Sequence, residues 1–115
     1  MFFKPEEFAC TCGCGKREID PDFLERLTVA RRFADVPFII TSGVRCEEHN
    51  KAIGGVPSSS HITGHAVDIK CTTSSHRWSI LNGLLMAGFR RIGIAKTFIH
   101  VDDDPTKDAR VIWTY

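Results

Sequence analysis

The sequence lacks any long apolar run, and its charges nearly balance. No segment reaches the roughly 20 apolar residues that a membrane-spanning helix needs. Residues 1–7 place a lysine, a proline and two acids where a signal peptide would have its apolar stretch. We therefore expect cytoplasmic synthesis without a signal peptide, and no membrane partner. A net charge of +1 argues against a general nucleic-acid binder.

Internal repeats, low-complexity segments and a complete set of disulfides are also missing. The 115 residues, 43% hydrophobic and 25% charged, suit one globular domain spanning residues 1–115. Five cysteines are an odd number, and without a secretory signal they do not predict a disulfide framework. Recognition of a ligand should then depend on a few well-placed groups rather than on a charged surface.

Helical patterns occupy the first half and the middle of the chain. Asp20 and Pro21 are typical of a helix start, as N-cap and first helical residue. Apolar residues follow at helical spacing: Phe23, Leu24, Leu27, Ala30 and Phe33. A short helix is expected at residues 47–53, and another from Ser74 or Ser75 to Gly88. Trp78 and Trp113 are expected in the core.

Strand patterns cluster towards the end of the chain. Residues 37–41 predict a short buried strand, and residues 66–70 alternate as strands do. Three further candidates close the sequence, at residues 91–95, 98–102 and 110–113. Late strands, with helices before and between them, predict an α+β fold with a mainly antiparallel sheet.

Two histidines and an aspartate suggest a metal site. A hydrolytic zinc takes imidazole and carboxylate ligands and keeps one position open for water. His61 and Asp68 are too far apart for one helix face, but they can flank a tight turn at Thr63-Gly64. In a strand, His100 would share its face with Asp102. Spacing alone leaves a core or surface role open for each of these residues.

The same segment resembles a known family. Ser59-x-His61-x-x-Gly64-x-Ala66-x-Asp68 is similar to the SxHxxGxAxD pattern of the M15 zinc peptidases. These include D-alanyl-D-alanine carboxypeptidases, dipeptidases and phage endolysins, and they share a fold with the Hedgehog signalling domain. Further segments look like parts of that family, in the same order: residues 8–10, 39–45, 48–51, 54–55, 98–102 and 113–115.

The resemblance implies roles for particular residues. His61, Asp68 and His100 would be the ligands of one zinc ion per chain, and Ser59 would orient a ligand or brace the turn. Arg45 would bind a substrate carboxylate or carbonyl in the cleft. Its guanidinium, just past a strand end, is independently well placed to form a carboxylate fork, although a surface salt bridge is the alternative.

One position departs from the family pattern. Many members have an acidic residue three positions before the last histidine ligand, where this chain has Thr97, which cannot act as a general base. Asp102 is the best replacement, because it lies two residues past His100 on the same strand face. Its alternative role is to hydrogen-bond Arg45, His49 or a ligand imidazole without handling protons.

The resemblance also implies a function. We expect hydrolysis of peptidoglycan stem peptides, at a D-Ala-D-Ala end or an L-Ala-D-Glu bond. The enzyme would be a monomer of the phage or prophage lysis type and act on the cell wall after release. A non-catalytic zinc-binding module, supported by Thr97, and a virion structural component are the alternatives.

The remaining cysteines and histidines allow more than one interpretation. Cys10-x-Cys12-x-Cys14 lacks the usual CxxC spacing, and only Cys46 or Cys71 could complete a four-thiolate zinc site. Free thiols that behave as small hydrophobic groups are the other interpretation. Among the other histidines, a structural hydrogen bond is expected for His49, and exposed positions are expected for His65 and His76.

Overall fold

The computed structural model describes residues 3–115, so residues 1 and 2 of the expected domain lie outside the described range. A 3₁₀ turn at Pro5–Phe8 precedes three α-helices: α1 (Pro21–Ala34), α2 (Glu47–Ala52) and α3 (Ser74–Met86). The strands are β1 (Ile40–Ser42), β2 (Ala66–Lys70), β3 (Arg91–Ile94), β4 (Phe98–Asp102) and β5 (Val111–Thr114). Within this range no helix is long and apolar enough to cross a membrane.

The five strands form one sheet in the order β1-β2-β4-β3-β5. Three of the four neighbouring pairs are antiparallel, and β3 with β5 is the parallel one. The expected α+β fold with a mainly antiparallel sheet is confirmed. The order places β2 and β4 side by side near the middle of the sheet, which are the strands that carry Asp68 and His100.

Helices α1 and α3 share one hydrophobic core with the sheet. α1 begins as expected, because the Asp20 carboxylate accepts a hydrogen bond of 3.0 Å from the Phe23 N–H. In β4, Ile99 and Val101 belong to the core. Since side chains alternate along a strand, His100 and Asp102 project from the opposite face of the sheet.

The first strand differs from its prediction. It covers Ile40–Ser42 rather than residues 37–41, and it lies at the edge of the sheet beside β2. Ile39 is 57% exposed, whereas Phe38 is buried although it precedes the strand. The expectation of a buried strand was therefore wrong. An edge strand has only one strand neighbour, so its apolar residues are covered less completely than those of a central strand.

Three details of the helices also differ from expectation. Phe33 is 48% exposed and Trp78 is 69% exposed. At 3.6 residues per turn, Phe33 lies about 80° around the helix from Phe23, and Trp78 about 160° from the buried Ile80. Phe33 therefore lies at the edge of the buried face of α1, and Trp78 points away from the core. The N-cap of α3 is Thr73, whose hydroxyl accepts a 3.2 Å bond from the His76 N–H, rather than Ser74 or Ser75.

We expect Gly83→Ala to destabilise the protein. Gly83 is where α3 touches α1, and a Cβ there would clash with the Ala30 carbonyl oxygen and lie 2.7 Å from the Ala34 Cβ. Separating two packed helices should cost about 1–3 kcal/mol, measured as the free energy of unfolding in urea. Met86→Ala is the control, since Met86 is exposed on the same helix and should change stability by less than about 0.5 kcal/mol. Equal effects of the two substitutions would contradict this packing.

Candidate metal centre

The segment 59–64 forms the turn that the sequence predicts before β2. The Ser59 hydroxyl accepts a 3.3 Å bond from the His61 N–H, and the Ser59 carbonyl accepts one of 3.1 Å from Ile62. Gly64 has a positive φ of 76°, and its carbonyl accepts a 2.9 Å bond from the Asp20 N–H. A residue with a Cβ at Gly64 would clash with the Glu18 carbonyl oxygen. This tight turn returns the chain so that His61 faces β2.

His61, Asp68 and His100 come together on the face of the sheet opposite the core. Asp68 and His100 are direct partners across β2 and β4. The Asp68 Oδ1 lies 3.0 Å from the His100 Nδ1 and 3.3 Å from the His61 Nε2. All three residues are at most 9% exposed. The structure therefore brings the three predicted ligands into one cluster.

Each histidine is held by its second ring nitrogen. The His61 Nδ1 lies 2.8 Å from the Gly43 carbonyl oxygen, so this nitrogen donates the hydrogen bond and the Nε2 keeps its lone pair for a metal. The His100 Nε2 lies 2.7 Å from the Asp102 Oδ2. A carbonyl or carboxylate behind a ligating imidazole is the usual arrangement in metal sites.

The donor set fits a catalytic zinc ion. Two imidazole nitrogens and one carboxylate, with all ligand atoms within 4.8 Å of one another, are what such an ion takes from a protein. Three protein ligands leave a fourth position for water or substrate. His61, Asp68 and His100 as ligands remain a prediction that this geometry supports.

Burial and hydrogen bonds act in opposite directions on the charged groups of this cluster. Burial raises the pKa of Asp68, but the hydrogen bonds of His100 and His61 outweigh it and hold that pKa well below its ordinary value. Burial lowers the pKa of His100, while Asp102 and Asp68 raise it to a net value above the ordinary one. Both shifts therefore favour the charged form of the group concerned, the carboxylate of Asp68 and the imidazolium of His100.

Asp102 has both of its oxygens occupied. Its Oδ2 contacts His100, and its Oδ1 accepts bonds of 2.7 Å from the Arg91 Nε and 3.2 Å from the Asp104 N–H. The residue is only 2% exposed. Burial raises the pKa of Asp102, but the His100 imidazole and these donors lower it by more. The net pKa is below the ordinary value, so the carboxylate stays ionised. A carboxylate in such an environment is suited to orienting a ligand imidazole, and less suited to acting as a free base.

Arg45 lies at the same cluster rather than on the open surface. Its Nε donates a 3.1 Å bond to the Ser42 hydroxyl, and one terminal nitrogen donates a 3.2 Å bond to the buried Asn50 side chain. The other terminal nitrogen is 3.6 Å from the Asp68 Oδ2. The guanidinium is thus fixed beside the predicted metal ligands, in the position that the family resemblance implies.

A cleft of about 360 Å³ opens over the cluster. It is lined by the predicted ligands, Arg45 and Asp102, together with residues that the sequence analysis did not place in a cleft: Arg91, Phe98, Lys107, Trp113 and Tyr115. Three of the lining side chains are cationic: Arg45, Arg91 and Lys107. The cleft combines a metal-ligand set with positive charge.

The family follows from a comparison with known protein families. The family model described as Peptidase M15 matches residues 1–102, which is most of the chain and includes all three predicted ligands. The chain belongs to the M15 peptidase family. No curated protein matches it. M15 peptidases are zinc-dependent in general, so the family places this chain in the general class of zinc metallopeptidases.

The sequence named the three predicted ligands, but it did not name the side chains that form the wall of the cleft. Trp113 is half-buried in the cleft rather than in the core, and its ring packs on Gly93, where a Cβ would lie 2.6 Å from it. Its ring centroid is 5.5 Å from that of His100. Arg91 pairs with Asp102 across β3 and β4, a relation that only the strand register reveals.

The other predicted residues have the following places. Thr97 is exposed in the connection between β3 and β4. His49 makes a side-chain hydrogen bond as expected, its Nε2 lying 3.0 Å from the Thr11 hydroxyl, and His76 is exposed as expected. His65 is half-buried instead of exposed, because its Nδ1 pairs with the Asp103 carboxylate at 2.8 Å.

We expect the metal-free protein to be most stable in mildly acidic solution. The lowered pKa of Asp68 contributes stability above its ordinary value of 3.8, and this is lost as the pH falls towards the folded value. The raised pKa of His100 contributes stability below its ordinary value of 6.5, and this is lost as the pH rises through the higher folded value. The free energy of unfolding should therefore peak between about pH 4 and 6.5.

Urea titrations of EDTA-treated protein across this range measure the effect. Asp68→Asn removes the titration of Asp68 and one of the two carboxylates that raise the pKa of His100, Asp102 being the other. Its profile should therefore be clearly flatter on the acidic side and partly flatter on the basic side. A profile of the same shape for the wild type and Asp68→Asn would contradict the assignment.

Proposed function

We propose that this chain is a zinc-dependent peptidase that hydrolyses peptidoglycan stem peptides, at a D-Ala-D-Ala end or an L-Ala-D-Glu bond. The observation that carries the proposal is the convergence of His61, Asp68 and His100 in a cleft with cationic walls. Family membership supports the reaction class, and the charge of the cleft supports an anionic peptide as substrate.

The ligand residues are arranged to hold a metal rigidly. A zinc ion held by them would supply a Lewis acid for the scissile carbonyl and a bound water of lowered pKa. The Gly43 carbonyl fixes the ring of His61, and Asp102 fixes that of His100, at 2.8 and 2.7 Å. Such support keeps the donor atoms in place without reorganisation during the reaction.

Arg45 is proposed to bind a carboxylate of the substrate. Stem peptides carry carboxylates at their C-terminus and on their acidic residue, and a guanidinium forms bidentate bonds with such groups. Ser42 and Asn50 hold Arg45 in place, so little side-chain entropy is lost when the substrate binds. Lys107 and Arg91 add positive charge to the same cleft.

Asp102 is proposed as a positioning residue. Its two oxygens are engaged by His100 and Arg91, and the side chain has almost no exposed surface. A general base has to reach the attacking water directly or through one other water. Orientation of the His100 ring fits these contacts better than proton transfer does.

A non-catalytic zinc-binding module is the second candidate, and one observation favours it. Among the described residues that line the cleft, the carboxylates are Asp68 and Asp102, and both are already engaged. Thr97, at the position where the family often has an acid, is exposed outside the cleft. A site without a proton acceptor would bind zinc and a peptide but turn over slowly.

The place of action follows from the proposed substrate. Peptidoglycan lies outside the cytoplasmic membrane, so the enzyme would work on the cell wall after release, as a phage or prophage lysis enzyme does. We propose that it does so as a monomer, with the cleft contained in a single chain.

The direct test is digestion of purified peptidoglycan by the zinc-loaded protein. Wild type should release free D-alanine if it cuts the terminal bond, or expose new amino groups on D-glutamate if it cuts the inner one. EDTA should abolish release and added zinc should restore it. His61→Ala and His100→Ala should lower the rate at least about 100-fold, whereas His76→Ala, an exposed histidine on α3, should not.

Two outcomes would contradict the proposal. The absence of release by wild type with zinc fully bound would favour the non-catalytic module. Release that persists unchanged in His61→Ala would mean that the cluster is not the reaction centre.

Asp102→Asn separates positioning from proton transfer. If Asp102 orients His100, zinc affinity should fall about 10- to 100-fold, and kcat at saturating zinc should stay within about tenfold of wild type. The pH dependence of kcat should keep its shape. Zinc titration measures the affinity, and steady-state kinetics at several pH values measure kcat. The control is Asp35→Asn, since Asp35 is an exposed residue at the end of α1.

Loss of about 10²- to 10⁴-fold in kcat at saturating zinc, with unchanged zinc affinity, would identify Asp102 as the general base instead.

A further inference from the structure

A second group of metal-ligating side chains lies away from the histidine cluster. It consists of Cys10, Cys12, Cys14 and Cys46, which we call the thiol cluster, and all four sulfurs lie within 4.8 Å of one another. The Cys10 sulfur is 3.4 Å from that of Cys12 and 3.8 Å from that of Cys46. The sulfurs of Cys12 and Cys46 are 3.6 Å apart.

These separations match a tetrahedral metal site. Zinc–sulfur bonds of about 2.3 Å in a tetrahedron place the sulfurs about 3.8 Å apart. A disulfide needs about 2.05 Å between its two sulfurs. A single disulfide would also use only two of the four cysteines that meet here.

The backbone conformation explains how the sulfurs of the unusual CxCxC segment converge. The Cys10 N–H donates a 2.7 Å bond to the Lys16 carbonyl, and the Cys10 carbonyl accepts one of 3.3 Å from Gly13. Gly13 and Gly15 have positive φ values of 87° and 86°, which favour glycine. The segment therefore closes into a small loop that places three sulfurs on one side.

The fourth thiol comes from a different part of the chain. Cys46 is the N-cap of α2, and its sulfur accepts a 3.3 Å bond from the His49 N–H. Backbone N–H groups that point at sulfur stabilise the thiolate, which is the form that binds metals.

We propose that the thiol cluster binds a second zinc ion in a closed four-thiolate site. Soft thiolate ligands in tetrahedral geometry select zinc over hard cations such as magnesium and calcium. With four protein ligands no position remains for water, so the site would be structural. Cys71 is not part of it, because its sulfur contacts the Thr73 carbonyl instead.

The second zinc would tie the N-terminal segment to the catalytic cleft. Cys46 directly follows Arg45, and the Val44 N–H donates a 2.8 Å bond to the Phe8 carbonyl. The Phe8 backbone packs so closely on Gly43 that a Cβ there would be 2.7 Å from the Phe8 Cα. Gly43 in turn holds His61. Closing the chain between residues 10 and 46 would stabilise this arrangement.

The test is a metal count on the full chain, purified under reducing conditions and equilibrated with zinc. Wild type should retain about two zinc ions per chain by elemental analysis, one from each cluster. The double variant His61→Ala/His100→Ala should retain about one. Cobalt bound to that variant should show the intense thiolate-to-cobalt absorption of a sulfur-rich tetrahedral site.

The complementary variant is Cys12→Ser/Cys14→Ser, with Cys71→Ser as the matched control. The double variant should retain about one zinc and lose the thiolate-to-cobalt absorption, and the control should retain about two. If removal of the thiols prevents folding, the metal count of wild type and the cobalt spectrum of the histidine variant still show whether the thiol cluster binds a metal.

Three results would overturn the proposal. One is a wild type that retains a single zinc, with the same count in Cys12→Ser/Cys14→Ser. Another is a histidine variant that retains none while circular dichroism shows it folded. The third is a mass lower by about 2 Da per disulfide in the zinc-equilibrated protein, which would show that the thiols have paired with each other.

Discussion

The contact between Asp68 and His100 is the interaction on which the rest of the site depends. The two residues are direct partners across β2 and β4, so the ladder of backbone hydrogen bonds fixes their separation. Every other functional group is positioned relative to this pair: the turn brings His61 to the same carboxylate, and Arg45 reaches its second oxygen. The sheet thus acts as a rigid base on which loops add ligands and charges.

Burial of this pair requires further polar contacts. A charged group removed from water is costly unless hydrogen bonds satisfy it. Here the Gly43 carbonyl satisfies His61, and Asp102 satisfies His100 and is itself satisfied by Arg91. Arg91 also stacks over Trp113, which packs on Gly93 in the neighbouring strand. The polar face of the sheet is therefore one connected network, and a change at Arg91 would reach His100 through Asp102.

Much of this arrangement follows from sequence because it depends on local rules. Asp20 and Pro21 define a helix start, and alternation along residues 98–102 separates His100 and Asp102 from Ile99 and Val101. What could not be predicted depends on contacts between distant segments. The partnership of Arg91 with Asp102 needs the register of β3 against β4. Trp113 was expected in the core because its size suggests burial, and only the pairing of β5 with β3 places it beside His100.

The same reasoning explains why the sequence left the role of the cysteines open, whereas the fold brings four of their sulfurs together. The spacing of Cys10, Cys12 and Cys14 lacks the usual CxxC pattern of zinc sites, and Cys46 lies more than thirty residues further along the chain. Two glycines with positive φ turn the loop, and the contact between Phe8 and Gly43 brings the two segments together. That contact also supports the carbonyl that orients His61. The N-terminal segment, remote from His61 in sequence, is therefore part of what holds the histidine cluster in shape.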